Sequence, residues 1–183
     1  MAVRKPARLG TGLLLAMLVF GVGSAAQGSV VPAAPNGISL KVQDRSHDND
    51  NPDNTLYALY QIVNTGTSAV PLSELTMRYW FTNASPTDAP VFACDWAQVN
   101  CGNVTSTFVT LSPARTMADH YVQLGFTAAA GSIAPGQTSG EIQTRIHDLN
   151  WSNFDTTASY SFISDESFVY KDTQTVTLYS TEF

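Results

Sequence analysis

From residue 38 onward the chain runs in short apolar stretches rich in β-branched and aromatic residues, each broken by turn residues after a few positions. Runs this short are too brief for helices and are spaced as the strands of an all-β sandwich are spaced. Strands are expected over 38–43, 56–64, 75–81, 106–111, 121–126, 141–146, 160–163 and 175–179. In the second of these, Leu56, Ala58, Tyr60 and Ile62 alternate with Tyr57, Leu59, Gln61 and Val63, so both faces carry apolar groups and one is expected to meet a partner sheet. Turns are expected at Asn64-Thr-Gly66, at Ala134-Pro-Gly136 and in the polar run from Ser46 to Pro52, where Gly, Pro and Asn supply the backbone angles a reversal needs. With 44% hydrophobic and 13% charged residues over 183 positions, the chain can bury a core of single-domain size.

The N-terminus has a basic segment containing Arg4, Lys5 and Arg8, an apolar run of about ten residues from Leu13 through Val22, and a small-residue stretch ending at Ala26. This anatomy predicts a secretory signal over 1–26, because a membrane-spanning helix needs about 20 apolar residues. A short, small-residue lead-in follows over 27–37, then the sandwich over 38–183. Of the nine bases, the leader holds three, so the mature chain carries six against 15 acids, a net charge of −9. That balance excludes the basic footprint of a nucleic-acid binder. Export to an oxidising space predicts that Cys94 and Cys101 pair, since no nearby thiols or imidazoles complete a zinc site.

Catalytic signals are sparse. No nucleophile elbow or metal-binding histidine pair is present, and His47, His120 and His147 are far apart in sequence. Two aromatic residues stand out instead. Trp96 follows Asp95 within the span closed by the cysteines, and Trp151 lies in the polar stretch Asn150-Trp-Ser-Asn153. An indole in a polar loop is either a lid on the core or a platform for a ligand such as a sugar ring, whose C–H face stacks on it.

The segments Leu40-Lys-Val42, Ile62-Val-Asn-Thr-Gly66, Leu72-Ser-Glu-Leu-Thr-Met-Arg-Tyr-Trp-Phe-Thr82, Cys94-Asp-Trp-Ala97, Asn103-Val-Thr105, Gly140-Glu-Ile-Gln-Thr-Arg-Ile146, Asp148-Leu-Asn-Trp-Ser-Asn-Phe154, Tyr160-Ser-Phe162 and Val176-Thr-Leu-Tyr179 occur in one order over nearly the whole mature chain. Together they resemble the family 3 carbohydrate-binding modules, the cellulose-binding β-sandwiches of cellulases and cellulosomal scaffold proteins. The resemblance implies a nine-stranded, two-sheet jelly-roll β-sandwich with no catalytic activity, secreted and monomeric, whose partner is insoluble cellulose, or chitin. It implies a flat strip of Asp95, Trp96, Arg145 and Trp151, with both indoles stacking on glucose rings and an Asp95–Arg145 ion pair whose planar unit also packs against a ring. Polar anchors would fall at Asp48, Asn54 and Gln143, with Asp48 in place of the family's usual amide. A tyrosine platform common in the family is missing where the loop shortens to Val99-Asn-Cys-Gly102. The family's structural calcium site is matched only at Thr82 and at the Asp155 carbonyl. Ala84, Ala158 and Ser159 replace its side-chain ligands, so the chain is expected to work without calcium or any other cofactor. The competing readings are a small polysaccharide-active enzyme and an adhesive structural protein on the same scaffold.

Overall fold

The computed structural model describes residues 37–47, 49–165 and 167–181. The expected secretory signal over 1–26, the lead-in residues 27–36 and Asp48 lie outside the described residues. Eleven strands follow in chain order: β1 (Leu40–Arg45), β2 (Leu56–Asn64), β3 (Val70–Pro71), β4 (Leu75–Phe81), β5 (Pro90–Ala97), β6 (Val104–Arg115), β7 (Ala118–Phe126), β8 (Ser132–Ile133), β9 (Ile142–Asp148), β10 (Lys171–Thr173) and β11 (Thr177–Ser180). They form a five-stranded sheet ordered β10-β1-β2-β9-β5, a four-stranded sheet ordered β11-β4-β7-β6, and a small β3-β8 pair. Every ladder is antiparallel. The two larger sheets pack face to face as a jelly-roll β-sandwich.

Strand alternation sorts residues between core and solvent. Leu56, Ala58, Tyr60 and Ile62 of β2 point inward, as do Leu75, Met77, Tyr79 and Phe81 of β4, and these meet Val122, Leu124, Ile142, Ile146 and Phe154 in one buried cluster. The Asn64 turn is built as its residues demand: the Asn64 amide donates to the carbonyls of Ser68 and Ile133, and its oxygen accepts from the Gly66 N–H. A Cβ at Gly66 would stand 2.3 Å from the Gly37 carbonyl oxygen, so the turn closes only around a residue without one.

Two sequence expectations need correction. Residues 160–163 form no strand. The Ser159 and Ser161 hydroxyls accept from the N–H groups of Thr82 and Trp80, so side chains take the place of ladder carbonyls there. Conversely, Cys94, Asp95, Trp96 and Ala97 are not loop residues. They are the second half of β5, an edge strand that period-2 reading overlooks because it begins at Pro90 and carries a register shift between Cys94 and Trp96.

Candidate functional site: a polar and aromatic strip on the five-stranded sheet

β9 lies between β2 and β5 and turns Ile142, Thr144, Ile146 and Asp148 inward. Its other face carries Gln143, Arg145 and His147, which span about 14 Å along the strand at roughly 3.4 Å per residue. Tyr57 of β2 lies opposite Arg145 on one side, and on the other Trp96 of β5 lies opposite Gln143.

Adjacent residues of a regular strand point to opposite faces, yet Asp95 and Trp96 both reach this surface. The bulge explains how. Cys94 pairs with Thr144 and Trp96 with Gln143, so Asp95 is the extra residue, and the shift of register brings its neighbour onto the face it occupies. Asp95 Oδ1 sits 3.1 Å from Arg145 Nε. The contact is ionic, without an aligned hydrogen bond at Nε. A disulfide joins Cys94 to Cys101 and fastens the end of β5 beside the bulge.

Trp151 is held by a different device. The buried Asp148 carboxylate accepts from the N–H groups of Asn150 (3.0 Å) and Ser152 (2.8 Å), and the Trp151 N–H donates to the Asp148 carbonyl at 3.2 Å. These bonds support a left-handed backbone at Trp151, φ 59°, which a bulky residue adopts only when its surroundings require it. The indole stacks on His147 at 3.8 Å with 3° between the planes, and Trp151 is still 48% exposed, as is Trp96. An indole covered on one face and half exposed offers its other face to a ligand.

Gln143 is tied into a network. Its amide donates to Glu141, whose second oxygen accepts from Arg45 Nε (3.1 Å), Arg45 Nη2 (3.0 Å) and the Tyr170 hydroxyl (2.7 Å). Burial alone would raise the Glu141 pKa, but the hydrogen bonds from Gln143, Tyr170 and Arg45 outweigh it and hold the carboxyl below its ordinary range. Asn54 is exposed, with its side-chain oxygen accepting from the Thr55 hydroxyl at 3.0 Å. Asp95, Trp96, Gln143 and Arg145 are thus gathered on the outer side of β5 and β9, with Trp151 joined to them through His147. Sequence reasoning missed His147 and Tyr57. Alternation along β9 carries the signal for His147, since 143, 145 and 147 share a face. Tyr57 is identified only by the pairing of β2 with β9.

Residues 41–182 match the cellulose binding domain family CBM3. The chain belongs to the family 3 carbohydrate-binding modules. The module is 36% identical over 143 residues to a β-mannanase/endoglucanase A of Caldicellulosiruptor saccharolyticus, covering 78% of this chain and 11% of that enzyme. It is 38% identical over 138 residues to an uncharacterized protein in the celA 5′ region of Paenibacillus lautus, covering 75% of this chain and 92% of the relative. Among solved structures it superposes on the CBM3b of the major scaffoldin subunit ScaA from Acetivibrio cellulolyticus with a TM-score of 0.73 and 35% identity, over 78% of this chain and 92% of that one. A biomass-sensing module of Clostridium thermocellum Rsgi-like proteins gives the same TM-score, 0.73, at 31% identity, over 78% of this chain and 93% of that one. The chain spans only 11–24% of the first five curated relatives it matches, all of them enzymes. The family is one of non-catalytic binding modules that bind cellulose.

The residues around Thr82 are tied to one another and to the backbone by hydrogen bonds. Thr82 Oγ1 donates to the Ala158 carbonyl at 2.8 Å, and Asp155 Oδ1 accepts from the Thr157 hydroxyl at 2.6 Å. Asn83 donates to the Ser85 and Asp88 carbonyls, and its own side-chain oxygen is buried without a partner. Among the described residues no group of three or more His, Cys, Asp or Glu could hold a metal ion.

Proposed function

We propose that this module is a secreted, non-catalytic, monomeric domain that binds crystalline cellulose through Trp151, Trp96 and the Asp95–Arg145 pair, with Gln143, Asn54 and Asp48 as polar anchors. The observation that carries the reading is the sharing of one sheet face by Asp95, Trp96 and Arg145, with the Trp151 indole half exposed beside them. Chitin presents a similar flat array of chains and is the second surface to test.

Covering the open half of an indole removes on the order of 100 Å² from water, which at about 25 cal/mol per Å² amounts to some 2.5 kcal/mol. Trp151→Ala is therefore expected to lower affinity for crystalline cellulose by about 2 kcal/mol, roughly 30-fold, with little change in melting temperature. The measurement is a binding isotherm on insoluble cellulose and on chitin, with reducing-sugar release assayed in the same tubes and expected to be nil. Unchanged binding by a folded variant would make Trp151 a lid on the core, and sugar release would make the chain an enzyme.

We also propose that the module folds and binds without calcium, since Ala84, Ala158 and Ser159 offer no carboxylate where the family uses side-chain oxygens. Melting temperature and cellulose binding are expected to be the same in EDTA and in millimolar calcium. A rise of several degrees on adding calcium, by linkage to a native-state site, would overturn this.

A further inference from the structure

The outer face of the four-stranded sheet carries a second array. Alternation along β4 turns Thr76, Arg78 and Trp80 outward, and the register places Gln123 of β7 opposite Arg78 and Tyr121 opposite Trp80. The Arg78 guanidinium carbon lies 4.2 Å from the Tyr179 ring centroid, 4.6 Å from that of Tyr121 and 6.0 Å from that of Trp80. Arg78 Nε donates to Gln123 at 3.0 Å, and the Trp80 indole N–H donates to the Thr177 hydroxyl at 3.0 Å. Beside this cluster a groove of about 290 Å³ is lined by Trp80, Arg115, Thr116, Ala118, Tyr160 and Thr177. Tyr160 is 46% exposed and Tyr179 39%.

Charge makes the array unusual. The described residues contain six bases, and four of them are paired: Lys41 with Asp172, Arg45 with Glu141, Arg145 with Asp95, and Lys171 with Asp165. Arg78 and Arg115 have no carboxylate within ion-pair distance among the described residues, and both flank Trp80. In a mature chain of net charge −9 acids are abundant, so two guanidiniums left without one beside the same indole are placed to receive an acid from outside.

We propose that this groove binds a single polysaccharide strand bearing carboxylates, a glycan containing uronic acids. Arg115 and Arg78 would receive the carboxylates, and Trp80, Tyr160 and Tyr179 would offer ring faces to the sugars. A guanidinium matches a carboxylate through two parallel N–H donors, a match that uncharged cellulose cannot use. Aromatic rings around a concave site suit a strand rather than a crystal surface. At physiological ionic strength the Debye length is about 8 Å, so repulsion between the net negative chain and a polyanion is largely screened at longer range and contacts within the groove decide binding. The inference shares with the cellulose reading only the setting, contact with polysaccharide.

The test is affinity electrophoresis in native gels containing soluble polygalacturonate or neutral galactan, at physiological ionic strength. Wild type is expected to be retarded by polygalacturonate and not by galactan. Trp151→Ala should be retarded like wild type while losing cellulose binding, which separates the two faces. Arg115→Gln, at an exposed hairpin end, should weaken polygalacturonate binding about ten-fold with cellulose binding and melting temperature unchanged. Arg78→Gln should do the same, with a melt to confirm the fold because Arg78 packs between two rings. No retardation by polygalacturonate, equal retardation by galactan, or wild-type behaviour of Arg115→Gln would each overturn the proposal.

Discussion

Phe154→Ala is expected to lower the unfolding free energy by about 4 kcal/mol, the scale of deleting a fully buried phenylalanine. Phe154 has no exposed surface, and its ring meets Phe81 edge-on at 6.4 Å within the cluster between the sheets. Its backbone exchanges hydrogen bonds with Asp53, 2.7 Å from the Phe154 N–H and 3.3 Å in return. The residue therefore moors the segment that leaves Trp151 to the start of β2. Single domains hold only about 5–15 kcal/mol in total, so the variant should lie near the edge of stability. Urea unfolding measures the loss, and cellulose binding at low temperature should weaken as the Trp151 loop slackens. A cost under about 1 kcal/mol would mean that the site has collapsed around the missing ring, or that the 149–155 segment is not anchored in the core.

The parts of this fold that were legible in the sequence are those where local pattern and burial coincide. The expected strands at 56–64 and 75–81 match β2 and β4 end to end because each sets an alternating apolar face against the core. β5 was not legible: Pro90 starts it, Asp95 bulges from it, and its edge position removes the inward and outward alternation that would reveal it. β10 has only three residues and Lys171-Asp-Thr173 has no apolar member, so its place beside β1 comes from pairing alone. For the candidate site, Asp95, Trp96, Gln143, Arg145 and Trp151 were legible through the resemblance of whole segments, not through spacing. Local pattern alone would have put Asp95 and Trp96 on opposite faces. The Glu141 network joins β1, β9 and Tyr170, residues as many as 125 positions apart from Arg45 to Tyr170, and only the folded chain brings them together.

Asp44→Asn is expected to stabilise the module at neutral pH by about 3 kcal/mol. On β1 the alternation that turns Val42 inward does the same to Asp44, which is buried opposite Tyr60, between the sheets. Asp44, Tyr60 and Tyr79 line one small cavity, and the Tyr79 hydroxyl has no partner in the described structure. Burial pushes the Asp44 carboxyl up from 3.8 to about 6, and the hydrogen bond with Thr173 offsets only part of that. A tenfold change in a proton-binding constant corresponds to about 1.4 kcal/mol, and a rise from 3.8 to about 6 is a little over two such factors, hence the expected 3. The native state takes up this proton near pH 6 and the unfolded chain near 3.8, so between those values the folded form binds more protons and stability falls as pH rises. The cost is complete above pH 6 and absent below about 4. The paired or hydrogen-bonded carboxyls act in the opposite sense. Asp165 is lowered to about 2, chiefly by Lys171, and Glu141 and Asp172 are also lowered, so their contributions fade only in stronger acid. Wild-type melting temperature should accordingly rise from pH 7 to a maximum between pH 4 and 5 and fall below it. Asp44→Asn should melt higher at pH 7, on the order of 10 °C, and coincide with wild type at pH 4. A variant less stable than wild type at pH 7 would show that the carboxylate is held by partners stronger than Thr173, and the argument from burial would fail.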